Sequence, residues 1–198
     1  MDEVGGRAGI SEPLAQPACD AAALEARAIH IAQEVAAECR RSYWYPLPGL
    51  LRVPLPNFGW RRRALLRHDL HHLLTGYPHT PLGEMEMAAW EFAAGRFEHA
   101  GATAFCLPLV GLGAALSPRR TRAAFVRGRR STSLYANPLP DREAVSRILE
   151  WRRQVAMPAG LPASRAEGSA YRRLVALSFA WMLAPPALLV LAAWAAAR

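Results

Sequence analysis

His68 and His72 stand four residues apart, Asp69 follows the first, and Glu84 lies twelve residues beyond the second. On a helix a four-residue step leaves two side chains about 40° apart and one turn apart, so both imidazoles reach a single ion. Asp69 falls about 100° round from His68, within the same arc. Gly76, Tyr77 and Pro78 end that helix, because glycine takes the left-handed C-cap and proline cannot continue the ladder. Thr80 caps the next helix with Pro81 in its first turn. A helical hairpin then brings Glu84 back beside the histidines.

Two imidazoles with carboxylates suit a borderline divalent cation such as zinc, and also iron or manganese. Three or four protein ligands leave a position for water or substrate, where the metal lowers a water's pKa or polarises an oxygen. Asp69 and Glu84 are the candidates to ligate or to shuttle protons. The pattern is not the H-E-x-x-H of metalloproteases, because His71 precedes the second histidine. His71 is left out of the ligand set, either supporting the site or simply exposed. His79 reads as an exposed turn residue. The competing reading of the cluster is histidines that cap, pair or sit at an interface.

The elements that must position these groups are helices, and no segment shows the alternation of a strand, so the expected fold class is all-α. Residues 20–41 form an amphipathic helix with Leu24, Ala28, Ile31, Val35 and Cys39 on one face. Residues 43–60 hold Pro46, Pro48, Pro54 and Pro56 among Tyr43, Trp44, Tyr45, Phe58 and Trp60, an ordered aromatic loop rather than a helix. Helices follow at 60–74 and 81–99, then an apolar helix at 100–116. A basic stretch covers 117–130, and a charged helix with Ile148 and Trp151 inward covers 141–153. The expected organisation is a flexible tail at 1–19, a helical metal-binding domain at 20–157, a linker at 158–169 and a hydrophobic membrane-anchoring segment at 170–198.

The 198 residues include 24 basic and 16 acidic ones, every basic one an arginine, and 52% are hydrophobic. That composition excludes a disordered chain. Cys19, Cys39 and Cys106 form no C-x-x-C pair, which excludes a disulfide framework and a thiolate zinc site. Residues 174–197 carry no charge and would extend about 36 Å as a helix, enough for a bilayer core of about 30 Å. Arg172 and Arg173 before them put the main domain on the cytoplasmic face of the inner membrane. Pro185 and Pro186 leave a hairpin that dips into the membrane, or a packed helix, as the other readings. A second apolar feature is Met85, Met87, Trp90 and Phe92, which either line a groove for a long apolar substrate or are plain core. The Arg119–Arg130 cluster, with Arg127, Arg129 and Arg130 at its end, suits anionic lipid headgroups. Nucleic acid and a plain solvated face are the alternatives, and lipid is favoured because the apolar tail points to a membrane independently.

His68-Asp69-x-x-His72-x(11)-Glu84, with Leu74-Thr75-Gly76-Tyr77 and Leu82-Gly83-Glu84 between, closely resembles the signature of the coenzyme Q biosynthesis protein 4 family. The Arg127–Arg130 run and residues 141–157 look like that family's C-terminal part, so the resemblance covers about half the chain, 58–157. It implies a mostly helical, membrane-associated protein of ubiquinone biosynthesis. His68, Asp69, His72 and Glu84 would bind zinc or another divalent metal. The implied activity is a lyase-type removal of the carboxyl at C1 of a polyprenylated hydroxybenzoate ring, with hydroxylation there. Implied partners are membrane lipid, the prenylated quinone precursor and other quinone-biosynthesis proteins, with no nucleic acid; a homodimer stays open. A non-catalytic scaffold that binds the lipid or quinone precursor is the alternative function.

Overall fold

The computed structural model describes residues 21–45, 54–95, 97–136, 141–155 and 162–196. The expected tail at 1–19, residues 46–53 of the proline-rich loop and the first part of the linker lie outside them. The described chain is mostly helical, as expected. Its helices are α1 (Ala21–Cys39), α2 (Gly59–Thr75), α3 (Pro81–Ala94), α4 (Ala100–Leu116), α5 (Pro118–Arg129), α6 (Asp141–Ser146), α7 (Ile148–Val155) and α8 (Arg165–Ala196). Leu24, Ala28 and Val35 of α1 meet Leu66, Leu70 and Leu74 of α2 in one core with Met87, Trp90, Phe125, Ile148, Trp151 and Val155.

Several boundaries differ from expectation for physical reasons. The aromatic loop holds a two-residue antiparallel pair, β1 (Tyr43–Trp44) with β2 (Leu55–Pro56). Asn57 secures it by donating from Nδ2 to the carbonyls of Glu38 (3.1 Å) and Arg41 (3.0 Å) at and just beyond the end of α1. α3 stops at Ala94 rather than 99, and His99 instead caps α4, its Nδ1 accepting from Gly101 N–H at 2.9 Å. The helix expected at 141–153 is split at Arg147, where a tighter step pairs Glu150 N–H with Arg147 O at 3.0 Å. α8 begins at Arg165, inside the expected linker, with Ser164 Oγ accepting from Glu167 N–H.

Among the described residues no helix is long and apolar enough to cross a membrane. The span expected at 174–197 is therefore not carried by the structure. Nor is a hairpin at Pro185 and Pro186, since α8 is one helix from Arg165 to Ala196. α8 instead packs on α4 and α5. Pro108 inside α4 has no N–H, which leaves Ala104 O without its helical donor. Trp181 Nε1 of α8 donates to that carbonyl at 3.1 Å. One turn on, Ser178 Oγ accepts from Gly111 N–H (2.9 Å) and donates to Leu107 O (2.6 Å), two groups that a regular helix pairs with each other.

The α2–α3 hairpin is built by short-range rules. Gly76 takes φ 78° as the left-handed cap and returns its N–H to His72 O at 2.9 Å. Thr80 Oγ1 accepts from Gly83 N–H at 3.2 Å, and Pro81 follows at the first turn. Gly83 sits so close to the turn that a Cβ there would lie 1.9 Å from Pro78 O. That approach sets α3 back along α2.

Candidate metal centre

The hairpin places His68 and His72 of α2 opposite Glu84 of α3. His68 Nε2 lies 3.2 Å from His72 Nε2 and 3.2 Å from Glu84 Oε2, and His72 Nε2 lies 3.4 Å from Glu84 Oε1. His72 Nδ1 donates to Tyr77 O at 2.8 Å, because a carbonyl only accepts, so a neutral His72 directs a lone pair from Nε2. Glu84 adds carboxylate oxygens to the same point. Acceptors that converge at such distances need a cation among them, a proton or a metal. A tetrahedral zinc with bonds of about 2.0–2.2 Å sets its ligand atoms about 3.4 Å apart, so the donor set and its spacing fit such an ion. Each of the three residues offers a ligand atom within 4.8 Å of the others.

Burial alone would depress the His68 imidazole, but the Glu91 and Glu84 carboxylates outweigh it and hold the ring well above its usual range. Burial would raise Glu84, and its hydrogen bonds to His68 and His72 instead hold it well below the usual carboxylate range. Glu84 is a third exposed and His68 a quarter, so the open side of the cluster faces solvent.

Asp69 is not among the groups that meet. It lines a cleft of about 470 Å³ with Glu34, Glu38, Arg41 and Arg61, on the α1 side of α2. Burial raises its carboxyl, against the pull of His68, His79 and His72. His79 is exposed as expected, yet its ring stacks on His72 at 3.9 Å and its Nδ1 lies 3.6 Å from Glu84 Oε1.

The residues expected to line a lipid groove are elsewhere employed. Met85 and Trp90 are buried, Trp90 completely, so they are core rather than groove. Arg127 donates to Thr75 O at 2.8 Å and lies over the Tyr77 ring, while Arg130 forms a two-pronged pair with Glu167 at 2.8 Å on each prong. Arg130 thus commits its charge to Glu167 and Arg127 part of its fork to the end of α2. Arg129 alone of the three is exposed.

One residue at the centre, Glu91, escaped sequence reasoning. Glu91 is fully buried, and its Oε1 lies 3.1 Å from His68 Nδ1 and 2.7 Å from His71 Nδ1. Its histidine neighbours pull its carboxyl down to about 2 against the opposing effect of burial. The available signal was spacing: Glu91 follows Glu84 by seven residues, which returns it to the same face of α3. Of the two readings of His71, support of the site or simple exposure, its complete burial removes exposure, and burial lowers its ring below the usual range.

Comparison of the chain with protein-family models, curated proteins and solved structures yields no match.

Proposed function

We propose that the chain is a metal-dependent, membrane-associated enzyme of ubiquinone biosynthesis acting at C1 of a prenylated hydroxybenzoate. The observation that carries the metal dependence is the convergence of His68 Nε2, His72 Nε2 and a Glu84 oxygen at 3.2–3.4 Å around one point with an open side. The ring substrate rests on the likeness of His68-Asp69-x-x-His72-x(11)-Glu84 to the coenzyme Q biosynthesis protein 4 signature.

His68, His72 and Glu84 would hold the metal, which when bound polarises the ring hydroxyl or carboxylate. Asp69, kept near the site but outside the ligand cluster, is the group that holds or passes on a proton. Replacing a ring carboxylate by a hydroxyl releases carbon dioxide and is a two-electron oxidation, so the reaction takes an oxidant such as dioxygen as co-substrate. Exposed Leu112, Leu116, Leu177 and Leu183 on α4 and α8 supply apolar surface for contact with lipid.

A scaffold reading has one observation in its favour: the ligands come from two helices, so a metal would also pin α2 to α3. Elemental analysis and turnover of prenylated hydroxybenzoate in air separate the two. A metal-loaded chain that converts substrate, with conversion lost in His72→Ala, supports the enzyme. A metal-loaded chain that binds substrate without converting it supports the scaffold. A chain without metal after reconstitution removes the metal-dependent enzyme and puts the scaffold, held by hydrogen bonds alone, in front.

A further inference from the structure

Behind the ligand face of α2 lies a polar chain that the proposed chemistry does not use. Leu134 N–H points at His71 Nε2 across 2.9 Å. An amide N–H only donates, so Nε2 accepts and the ring proton of a neutral His71 sits on Nδ1. That nitrogen lies 2.7 Å from Glu91 Oε1 and donates to it. Trp90 and Tyr135 hold the imidazole edge-on, with ring centres 5.0 and 4.9 Å away. The same Glu91 oxygen faces His68 Nδ1 at 3.1 Å. An oxygen that already accepts from His71 accepts from His68 as well, so the His68 proton belongs on Nδ1. His68 Nε2 is then left with its lone pair toward His72 and Glu84.

We infer that His71 and Glu91 are positioning residues for the metal centre: the Leu134 amide orients His71, His71 orients Glu91, and Glu91 fixes the tautomer and rotation of His68. This rests on the metal-centre reading and takes from it that His68 binds through Nε2. Partners of this kind behind a ligating histidine contribute about 10–100-fold in metal affinity.

The test uses the full chain. Zinc affinity is measured by chelator competition for the wild type, Glu91→Gln, His71→Gln and His68→Ala, and the cobalt-substituted proteins are compared by visible absorption. The expected result is zinc binding weakened about 10–100-fold in Glu91→Gln, with a shifted cobalt spectrum. Wild-type affinity and spectrum in Glu91→Gln would overturn the inference while leaving the metal centre standing. Nitrogen-15 histidine spectra of the wild type need no variant to fold: Nδ1–H at His71 and His68, with zinc on His68 Nε2, is the expected pattern. Zinc on His68 Nδ1, or His71 protonated on Nε2 alone, overturns the inference. If the wild type binds no zinc, the metal reading fails, and the tautomer of the neutral His71 in the metal-free chain, Nδ1–H or Nε2–H, still decides for or against the support chain.

Discussion

Between α2 and α3 the polar contact is made by His68, His71, His72, Glu84 and Glu91; between α4 and α8 it is made by Ser178, Trp181 and the backbone of α4. The first contact turns His68 Nε2, His72 Nε2 and a Glu84 oxygen toward one point that a proton or a metal ion could fill. The second matches each donor to an acceptor and needs nothing added. On the metal-centre reading, the hairpin should respond to pH and metal in a way that the α4–α8 pair does not.

The comparison breaks most decisively at the histidines. His68→Ala combined with His72→Ala should remove all bound metal, read by elemental mass spectrometry, while the helical circular dichroism persists. Metal retained by the double variant would locate the ion elsewhere. Leu70→Ala, at a fully buried position under the same hairpin, should cost about 2–5 kcal/mol in urea unfolding. Ser178→Ala should cost about 1–2 kcal/mol and leave zinc affinity untouched; a coupled loss would erase the distinction between the two regions. Zinc affinity should fall about tenfold per pH unit once His68 is protonated, because metal and proton compete for the same nitrogen. The metal-free chain should show the opposite sign. His68 is raised above 6.5, so its stabilising contribution is full below that pH and is lost as pH rises through the higher folded value, measurable as denaturation midpoints across that range. Gly76→Ala should have the smallest effect, about 1 kcal/mol for a side chain forced to φ 78°, and should loosen the hairpin only.

The parts of the centre that were legible in the sequence obey local rules. The spacing of His68 and His72, the glycine that ends α2 and the Thr80–Pro81 start of α3 each depend on neighbours within a few residues. Glu91 was missed because a glutamate in an otherwise apolar helix turn reads as surface until its histidine partners are known. The direction of His71 depends on Trp90, Tyr135 and Leu134, which only tertiary packing brings together. Arg130 finds Glu167 across 37 residues and Arg127 finds Thr75 across 52, so two members of the basic run brace the fold while Arg119, Arg120, Arg122 and Arg129 stay exposed. The same limit applies to α8, whose apolar composition suggested a membrane while its Ser178 and Trp181 answered gaps in a helix made much earlier.

That repair has a consequence for the order of events during synthesis. Ala104 O and Gly111 N–H acquire their partners from side chains 77 and 67 residues downstream. While the ribosome is still making α5 to α7, α4 is a glycine- and proline-interrupted segment with a missing rung. Its maturation must wait for α8 to emerge and dock, so pulsed hydrogen exchange during refolding should find the Gly111 amide protected in the same late phase as α8, after the α2–α3 hairpin has closed.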